Sequence, residues 1–577
     1  MKRKHLIYLV LLAFITLLIF ENQENTITSS HKSGLYLKPF NLVLTTNSKY
    51  KVNYTFDGSD PTNQSFTFQK ELLITGKESY DSLSFINTTL PDSIANFGWR
   101  KPKGRQDRAT IVKYAGFQNG ILQTEIKTLS FFIDRQLYNT VFPNTRKNRI
   151  LIKFNSKRLD NLFLKDSITL TKYKLPIISI STDKRNLYSK EKGLFIAGVN
   201  MNASKINSGN YFKRGKDFER QVHFQYFDKH GKLDFELDVG MRIHGGITRR
   251  NPQKSLKFYA RQEYGKTKIN LPFLSEKGVN RFILESMQES GGGQALIEDV
   301  VAQEIVKELG LEQQNFQAVI VFINGEYWGL HTIRDRIDEN YLSYKFNLHK
   351  DSFDIIDGNP STTPNYETIH GENSDYIDLV SFIKENDLSI NRNYSHINSK
   401  IDIDNFIDYY SVEIFFANND WPIHNVKIWK KKNNGKWRWI LYDLDGGFSN
   451  KRDYSLDMFN RISNTENCGS CGNSPEATLL FRSLMRNTEF NQKFNARYNE
   501  IIKQYMNPDK TLAIVDSITE IYHTNMQDHI NRWRYPWSLK HHWKRDIEKN
   551  IKEFLINREE YTLRNLKNHI KRNEIND

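Results

Sequence analysis

Residues 418–448 read NNDWPIHNVKIWKKKNNGKWRWILYDLDGGF, and this stretch carries most of the information about the fold. It contains two short apolar runs, 426–429 and 437–442, which flank the dipeptide Asn434-Gly435. Asn-Gly between two such runs is a strong hairpin signal, so we predict two paired strands. A polar loop precedes the first strand and an acidic turn follows the second.

The polar residues around this hairpin have the order found in proteins that transfer phosphoryl groups. Asp420 is followed five residues later by Asn425, the interval between the catalytic Asp and the metal-binding Asn of the kinase pattern H-R-D-x-x-x-x-N. Asp443 follows the second strand, where kinases place a metal-binding carboxylate. Taken singly, Asp420 and Asn425 are better explained as a local turn and cap, and Asp443 with Asp445 also fits a metal-dependent glycosyltransferase. The two elements in this order favour phosphoryl transfer.

Upstream lies a turn rich in Gly and Arg, between predicted strands at 239–243 and 255–260. Glycine lets backbone amides approach an anion closely, and Arg and Lys side chains bind phosphate oxygens. The candidates for such contacts are Gly245, Gly246, Arg249, Arg250, Lys254 and Lys257. Of the two lysines, we expect Lys254 at the surface and Lys257 to be the stronger phosphate ligand.

Helical and strand periodicities alternate over the rest of this region. The predicted elements are a helix at 297–309 ended by Gly310, a hairpin at 318–333, a helix at 403–417 and a helical tail at 543–570. We interpret the tail as a bundle packed on the rest of the chain, with a basic partner-binding helix as the alternative.

The N-terminal third has a different pattern. Residues 34–133 contain short alternating runs between turn clusters, which predicts a small β-sandwich. The stretches GLYLKPFNLVLT (34–45) and YTFDGSDPTNQS (54–65) resemble the β-sandwich module at the C-terminal end of chitobiases and β-hexosaminidases. The resemblance implies an accessory module without catalysis, for which contact with a glycan stays open. We expect Asp57 and Asp60 to form a tight turn and not a ligand site.

The first residues indicate export. Lys-Arg-Lys at 2–4 precedes an apolar segment at 6–20, which is the pattern of a signal peptide or signal anchor. No small-x-small cleavage site follows, which favours an uncleaved, membrane-bound anchor. The positive-inside rule then places the remaining chain outside the cytosol. In that compartment Cys468 and Cys471 are expected to form a local disulfide, with redox catalysis as the lesser alternative.

Composition excludes several classes of protein. Aromatic residues make up 13% of the 577 residues, so the chain is not a disordered one. The net charge of +15 is spread along the sequence without a reader motif, and we therefore expect no nucleic-acid partner.

A family signal comes from five segments, which are LPIISISTDKRNLYSKEKGLFIAG (175–198), GMRIHGGITRRNPQKSLKFYARQEYG (240–265), VFINGEYWGLHTIRDRIDENYL (321–342), NNDWPIHNVKIWK (418–430) and WRWILYDLDGGF (437–448). In this order they resemble the CotH family, the spore-coat protein H kinases. The resemblance implies a kinase-like fold, ATP and Mg²⁺ or Mn²⁺ as cofactors, and phosphorylation of Ser or Thr in protein substrates.

The resemblance also implies roles for individual residues. Asp420 would be the catalytic base, and the metal would be held by Asn425 and Asp443 with support from Asp445. The nucleotide would be bound by Lys254 or Lys257 and by the turn at Gly245, Gly246 and Arg249, with Asp335 near its base. Asp335 stands where relatives commonly have Glu, and the acids Glu298 and Asp299 stand where relatives often have Arg.

We therefore predict an α+β multidomain chain. Its parts are a signal anchor or signal peptide (1–24), a chitobiase-type β-sandwich (30–135), a linker (136–173), an atypical protein-kinase-like domain (174–500) and a C-terminal helical extension (501–577). The expected function is that of an exported kinase of surface or envelope proteins. Because ATP is scarce outside the cytosol, the alternative is a catalytically silent surface binding protein, and transfer from a sugar nucleotide is a third hypothesis.

Overall fold

A computed structural model describes much of the chain. The described residues are 26–46, 50–76, 82–89, 98–104, 106–133, 173–205, 207–288, 295–358, 366–448, 453–463 and 474–576. The expected N-terminal segment, almost all of the linker and the loop with Cys468 and Cys471 lie outside them. Within these ranges no helix has the length and apolar character needed to cross a bilayer.

The N-terminal region consists of strands in two layers. They are β1 (Ile27–Ser29), β2 (Gly34–Tyr36), β3 (Phe40–Leu42), β4 (Leu44–Thr46), β5 (Lys51–Thr55), β6 (Phe66–Thr67), β7 (Leu72–Ile74), β8 (Ala109–Gln118), β9 (Ile121–Leu122) and β10 (Lys127–Ile133). A six-stranded sheet contains β2, β10, β8, β5, β6 and β9, and the pairs β1–β4 and β3–β7 form two smaller sheets. Residues of all three sheets share one apolar cluster, as in a sandwich. The specific resemblance to the chitobiase module stays a prediction.

The alternating run 41–45 does not form one continuous strand. It divides at Val43 because Leu42 pairs with β7 and Leu44 with β1. The turn prediction is confirmed: Asp57 Oδ1 accepts a hydrogen bond of 3.0 Å from the Ser59 amide, and Lys113 binds Asp60. Both aspartates therefore serve the fold.

A closed barrel follows. The strands between 177 and 334 are β11 (Ile177–Ser181), β12 (Arg220–Phe227), β13 (Leu233–Ile243), β14 (Leu256–Tyr259), β15 (Arg281–Ser286), β16 (Glu312–Gln313), β17 (Phe316–Ile323) and β18 (Glu326–Arg334). The barrel order is β11-β12-β13-β14-β15-β18-β17, and it closes because β11 pairs parallel to β17. The predicted hairpin at 318–333 is present, with Asn324 and Gly325 at φ of +48° and +77° in its turn.

The remaining strands form a second sheet. They are β19 (Phe353–Asp357), β20 (Glu367–His370), β21 (Lys427–Lys431) and β22 (Arg438–Leu441), which join β16 in the order β16-β22-β21-β19-β20. The predicted pairing across Asn434-Gly435 is thus confirmed, with Lys427 opposite Ile440.

The described residues also contain eleven α-helices. They are α1 (Lys184–Tyr188), α2 (Glu298–Ile305), α3 (Glu339–Phe346), α4 (Ser374–Glu385), α5 (Asn391–Lys400), α6 (Ile403–Phe416), α7 (Met458–Ser463), α8 (Pro475–Met485), α9 (Thr488–Tyr505), α10 (Pro508–Trp533) and α11 (Glu553–Asn576). The segments Leu539–Lys544 and Ile547–Lys552 form π-helical turns before α11. The α+β character that the sequence predicts is confirmed.

The helical tail packs on the rest of the chain, as the bundle interpretation expects. Trp543, Ile551 and Leu555 are buried in the main hydrophobic core together with α6. The Arg558 guanidinium is fully buried and donates hydrogen bonds of 2.8 Å to the carbonyls of Ile414 and Phe415. The tail is therefore an integral part of the helical layer.

Candidate active site

The predicted catalytic loop follows directly after α6. That helix ends where Ala417 turns left-handed at φ +52°, and the buried Asn418 then fixes the loop. Asn418 donates to Glu413 at 2.9 Å and accepts from the Asp420 amide at 3.1 Å. Asn425 Nδ2 donates to Asp420 Oδ2 at 3.1 Å. The structure thus brings the first two predicted site residues into direct contact, and leaves the Asp420 side of the loop exposed to solvent.

The acidic turn after β22 lies against this loop. The Asn419 amide donates to the Gly446 carbonyl at 2.9 Å, and a Cβ on Gly446 would come within 2.6 Å of Asn418 Oδ1. Glycine is therefore required where the two segments meet. Asp443 adopts φ +61° and Asp445 follows in a short 3₁₀ turn. Both carboxylates, with that of Asp420, lie within electrostatic reach of one another.

The acidic turn is held in place by Asp299, which in the sequence is only a departure from the family pattern. Asp299, in the first turn of α2, accepts a 2.8 Å hydrogen bond from the Leu444 amide through Oδ1. Its Oδ2 pairs with the buried guanidinium of Arg334, which also lies 4.0 Å from Glu285. Asp299 therefore connects the helix, the last residue of β18 and the acidic turn.

Crowded carboxylates raise one another's pKa. Burial, followed by the charges of Asp299 and Asp420, raises the pKa of Asp443. Burial and the charge of Asp443 raise the pKa of Asp445 well above its ordinary value. Burial likewise raises the pKa of Glu413 to about 8, although its hydrogen bond with Asn418 opposes the shift. Each charge added to this cluster is costly unless a cation compensates for it.

The donor set suits a hard divalent cation. Asp443, Asp445 and Asn425 offer oxygen ligands, which Mg²⁺ and Mn²⁺ prefer. Within the described residues no group of three or more His, Cys, Asp or Glu side chains is arranged as a complete metal site. Mg²⁺ is normally held by one or two protein carboxylates together with substrate phosphates, so two carboxylates near the exposed Asp420 fit this mode.

The Gly and Arg turn has a more structural character than the sequence indicates. Gly245 adopts φ +101°, and the buried Arg249 donates to the carbonyls of Gly245, Ile243 and Tyr211 at 2.7–2.8 Å. Gly246 is exposed, and a Cβ there would meet no atom within 4 Å. Arg249 therefore holds the turn together, and its predicted phosphate contact stays a prediction.

The two candidate lysines, Lys254 and Lys257, differ in burial. The expectation that Lys254 lies at the surface is wrong: it is 1% exposed, donates to the Arg249 carbonyl at 2.8 Å and lies 4.0 Å from the Tyr211 ring centre. Lys257 is only partly buried on β14, where burial and then nearby arginines, first Arg336, lower its pKa to about 7. Lys257 is the better-placed cation for an anionic ligand.

Asp335 is engaged inside the protein. Its carboxylate accepts hydrogen bonds from the Asn315 amide at 2.8 Å, from Asn315 Nδ2 at 2.9 Å and from the Tyr344 hydroxyl. Burial raises its pKa despite these bonds. It lies where the chain leaves the barrel for α3, and its contact with a nucleotide base stays a prediction.

Sequence reasoning missed Asp299, Glu285 and Arg334 as partners of the acidic turn. They come from α2, β15 and β18, and no spacing relates them to Asp443. The available signal was an acid at the start of a predicted helix, which by itself indicates only a favourable charge at a helix N-terminus.

Comparison with known protein families gives an extended match. A family model described as "CotH kinase protein" matches residues 241–562, which is over half of the chain. A search among curated proteins found no match. Among solved structures, the proinflammatory kinase CtkA of Helicobacter pylori is 11% identical, with 52% of this chain and 92% of that chain covered at a TM-score of 0.24. At that score the likeness supports no further argument.

Proposed function

The chain belongs to the CotH kinase family, and from this premise we propose that it transfers the γ-phosphoryl group of ATP to Ser or Thr hydroxyls of surface or envelope proteins. The observation that carries the proposal is the contact of the Asp420–Asn425 loop with the acidic turn at Asp443. Transfer of a phosphoryl group depends mainly on positioning and on compensation of charge, and this arrangement provides both.

Each residue then has a defined task. The exposed Asp420 carboxylate accepts the proton of a substrate hydroxyl, and its hydrogen bond from Asn425 fixes its orientation. Asp443, Asn425 and Asp445 would hold Mg²⁺ or Mn²⁺, which when bound compensates for negative charge on the phosphate oxygens. Lys257 contributes positive charge from the barrel side of the cleft.

The test is transfer of label from radioactive ATP by the full chain, with Mn²⁺ or Mg²⁺, to itself and to a generic protein. We expect Asp420→Asn to lower the rate by at least about a hundredfold, as is typical of a lost catalytic base. Asp443→Asn should also lower the rate, because it removes a proposed metal ligand. Asp404→Asn is the matched control, since Asp404 is an exposed carboxylate at the opposite end of α6 whose pair with Lys493 lies at the surface. Equal labelling by wild type and Asp420→Asn would exclude the proposal.

The proposal includes export, which the basic residues 2–4 and the apolar segment 6–20 support. We expect the intact chain to sediment with membranes and to be digested by protease added outside intact cells. Deletion of residues 2–20 should leave it in the cytosolic fraction. Protection of the intact chain from external protease would contradict this placement.

A second candidate function is supported by a cavity of about 790 Å³ between the N-terminal strands and the barrel. It is lined by Phe56, Phe66, Gln64 and Glu326 among others, and Phe66 is 56% exposed. An aromatic face beside amide and carboxylate groups suits a sugar ring, so glycan binding is the alternative. Calorimetry with neutral oligosaccharides should show binding that Phe66→Ala removes and that Ile121→Ala, an exposed apolar residue of the same region, does not.

A further inference from the structure

Lys427 is the first residue of β21 and pairs with Ile440 of β22 in the second sheet. Ile428 belongs to the core beneath the helices, whereas Trp429 belongs to a small cluster on the other face of the sheet with Ile440 and Tyr442. Side chains alternate between the faces of a strand, so Lys427 shares the face of Trp429. Tyr341 and Leu342 of α3 belong to the same cluster, so this is the face that carries α3.

Within the described residues, the ammonium group of Lys427 has no carboxylate at bonding distance. Its Nζ lies 3.8 Å from the centre of the Tyr442 ring, and it forms no ion pair within 4.0 Å in that part of the chain. Burial lowers the pKa of Lys427 and the charge of Arg336 lowers it further, whereas the charges of Asp357, Asp443 and Asp338 favour the ammonium form. A partly buried ammonium held only by an aromatic face retains the capacity to bind an oxyanion.

A second cation faces it from the barrel. Lys257 on β14 also lacks an ion pair within the described residues. Burial lowers the pKa of His244, and the positive charges of Lys257 and Lys427 both lower it further. His244 begins the Gly and Arg turn after β13. One imidazole is thus within electrostatic reach of two lysines that belong to different sheets.

Two partly desolvated cations near the same point repel each other, and the repulsion is relieved when an anion lies between them. Asp443 lies within electrostatic reach of Lys427 and would bring a divalent cation to the same region. The ligand that fits both lysines and the acidic turn is a metal-bound polyphosphate.

We propose that Lys427 is a second phosphate-binding residue, which contacts the triphosphate of the nucleotide from the sheet side while Lys257 contacts it from the barrel side. This inference rests on the proposed function. It assigns Lys427 to binding and positioning, and not to a covalent step.

The experiment measures the dissociation constants of ATP, with Mn²⁺, and of adenosine for the full-length protein and its variants. We expect Lys427→Met to weaken ATP binding roughly tenfold to hundredfold, as for a lost hydrogen bond to a charged group, and to leave adenosine binding unchanged. Lys427→Arg should restore most of the affinity for ATP. Lys431→Met is the matched control, because Lys431 is exposed at the other end of the same strand.

The outcomes distinguish an error in the phosphate role of Lys427 from an error in the proposed function. If wild type binds ATP and Lys427→Met binds it equally well, or loses ATP and adenosine in equal measure, the phosphate role of Lys427 is wrong while the proposed function stands. If wild type binds no ATP, both are wrong. Thermal unfolding checks that each variant is folded, and Lys427→Gln replaces Lys427→Met if the latter is not.

Discussion

Two of the predicted metal ligands adopt a strained backbone conformation. Asn425 and Asp443 have φ of +59° and +61°, in the left-handed region that favours glycine. Asn and Asp tolerate this region better than other residues, yet such conformations cost on the order of 1–3 kcal/mol and persist only where the surroundings impose them. The chain therefore places side chains with oxygen ligands at two positions where glycine would be less strained, which is typical of functional sites.

Asp299 offers the clearest test at the scale of the residue. We expect Asp299→Ala to lower the free energy of unfolding by about 3 kcal/mol, because the buried Arg334 charge would keep, among the described residues, only the distant carboxylate of Glu285 and a long 3.4 Å hydrogen bond to Gln314. It should also abolish transfer, since the Leu444 amide loses its partner. Urea unfolding measures the first effect. Glu304→Ala on the same helix, which breaks an exposed pair with Lys307, should change stability by less than about 0.5 kcal/mol.

The lowered pKa of Lys257 predicts a pH dependence of ATP binding. Since burial and nearby arginines set this pKa to about 7, the free protein carries an ammonium below that pH and a neutral amine above it. An anion prefers the ammonium, so the affinity for ATP should fall as pH rises above 7, by up to about tenfold per pH unit. Titration of Lys257→Arg corrects for the ionisation of ATP itself. Parallel profiles for wild type and Lys257→Arg would contradict this assignment.

At the scale of elements, the hairpin of β17 and β18 joins the barrel to the N-terminal strands. The Ala109 amide donates to the Gly325 carbonyl at 2.7 Å, and the Tyr327 amide donates to the Asp107 carbonyl at 3.1 Å. A Cβ on Gly325 would lie 2.3 Å from the Ala109 carbonyl oxygen. The turn that the sequence predicts therefore also requires glycine for a contact that the sequence does not reveal.

Because of the contact between Gly325 and Ala109, we expect Gly310→Ala and Gly325→Ala to lower the free energy of unfolding by different amounts. Gly310 and Gly325 have φ of +72° and +77°, but a Cβ on Gly310 would meet no atom within 4 Å. We expect Gly310→Ala to lower the free energy of unfolding by about 1 kcal/mol, the cost of a left-handed non-glycine residue. Gly325→Ala should cost at least about twice as much, because the strands must also move apart. Equal midpoints for the two variants in guanidinium chloride would show that the contact is unimportant.

At the scale of the whole molecule, the N-terminal strands supply partners for buried polar groups of the barrel. The Glu326 carboxylate, 3% exposed, accepts hydrogen bonds from Ser82 Oγ and from the amides of Leu83 and Ser84 at 2.7–3.1 Å. Gln225 is fully buried and bonds to Ser33 and Ser130. Buried polar groups without partners are costly, so the barrel depends on this region for stability.

A shortened chain tests this dependence. We expect a protein that begins at residue 173 to unfold at a Tm lower by at least about 5 °C, because several buried groups would lose their hydrogen bonds. A chain that begins at residue 26 keeps these contacts and should unfold like the full-length protein. The same Tm for both shortened chains would mean that the two regions are energetically independent.

The sequence by itself determined several of the elements and the central pair of the site. The β21–β22 hairpin, the α6 helix and the Asp420–Asn425 interval follow from local periodicity, turn chemistry and spacing, which act over a few residues. The family could be predicted for the same reason, because its motifs are local and occur in order. The division of the run 41–45 could not be predicted, since pairing partners are chosen by distant strands.

Tertiary structure alone decided which charges surround the acidic turn and which way each basic side chain points. Lys254 and Lys257 are three residues apart, yet one is buried against Tyr211 and the other is only partly buried. Asp299 and Lys427 act on Asp443 from two separate elements, and Arg334 pairs with Asp299 from a third. Burial and electrostatic coupling depend on distances through space, and closure of the barrel and its packing on the second sheet set those distances.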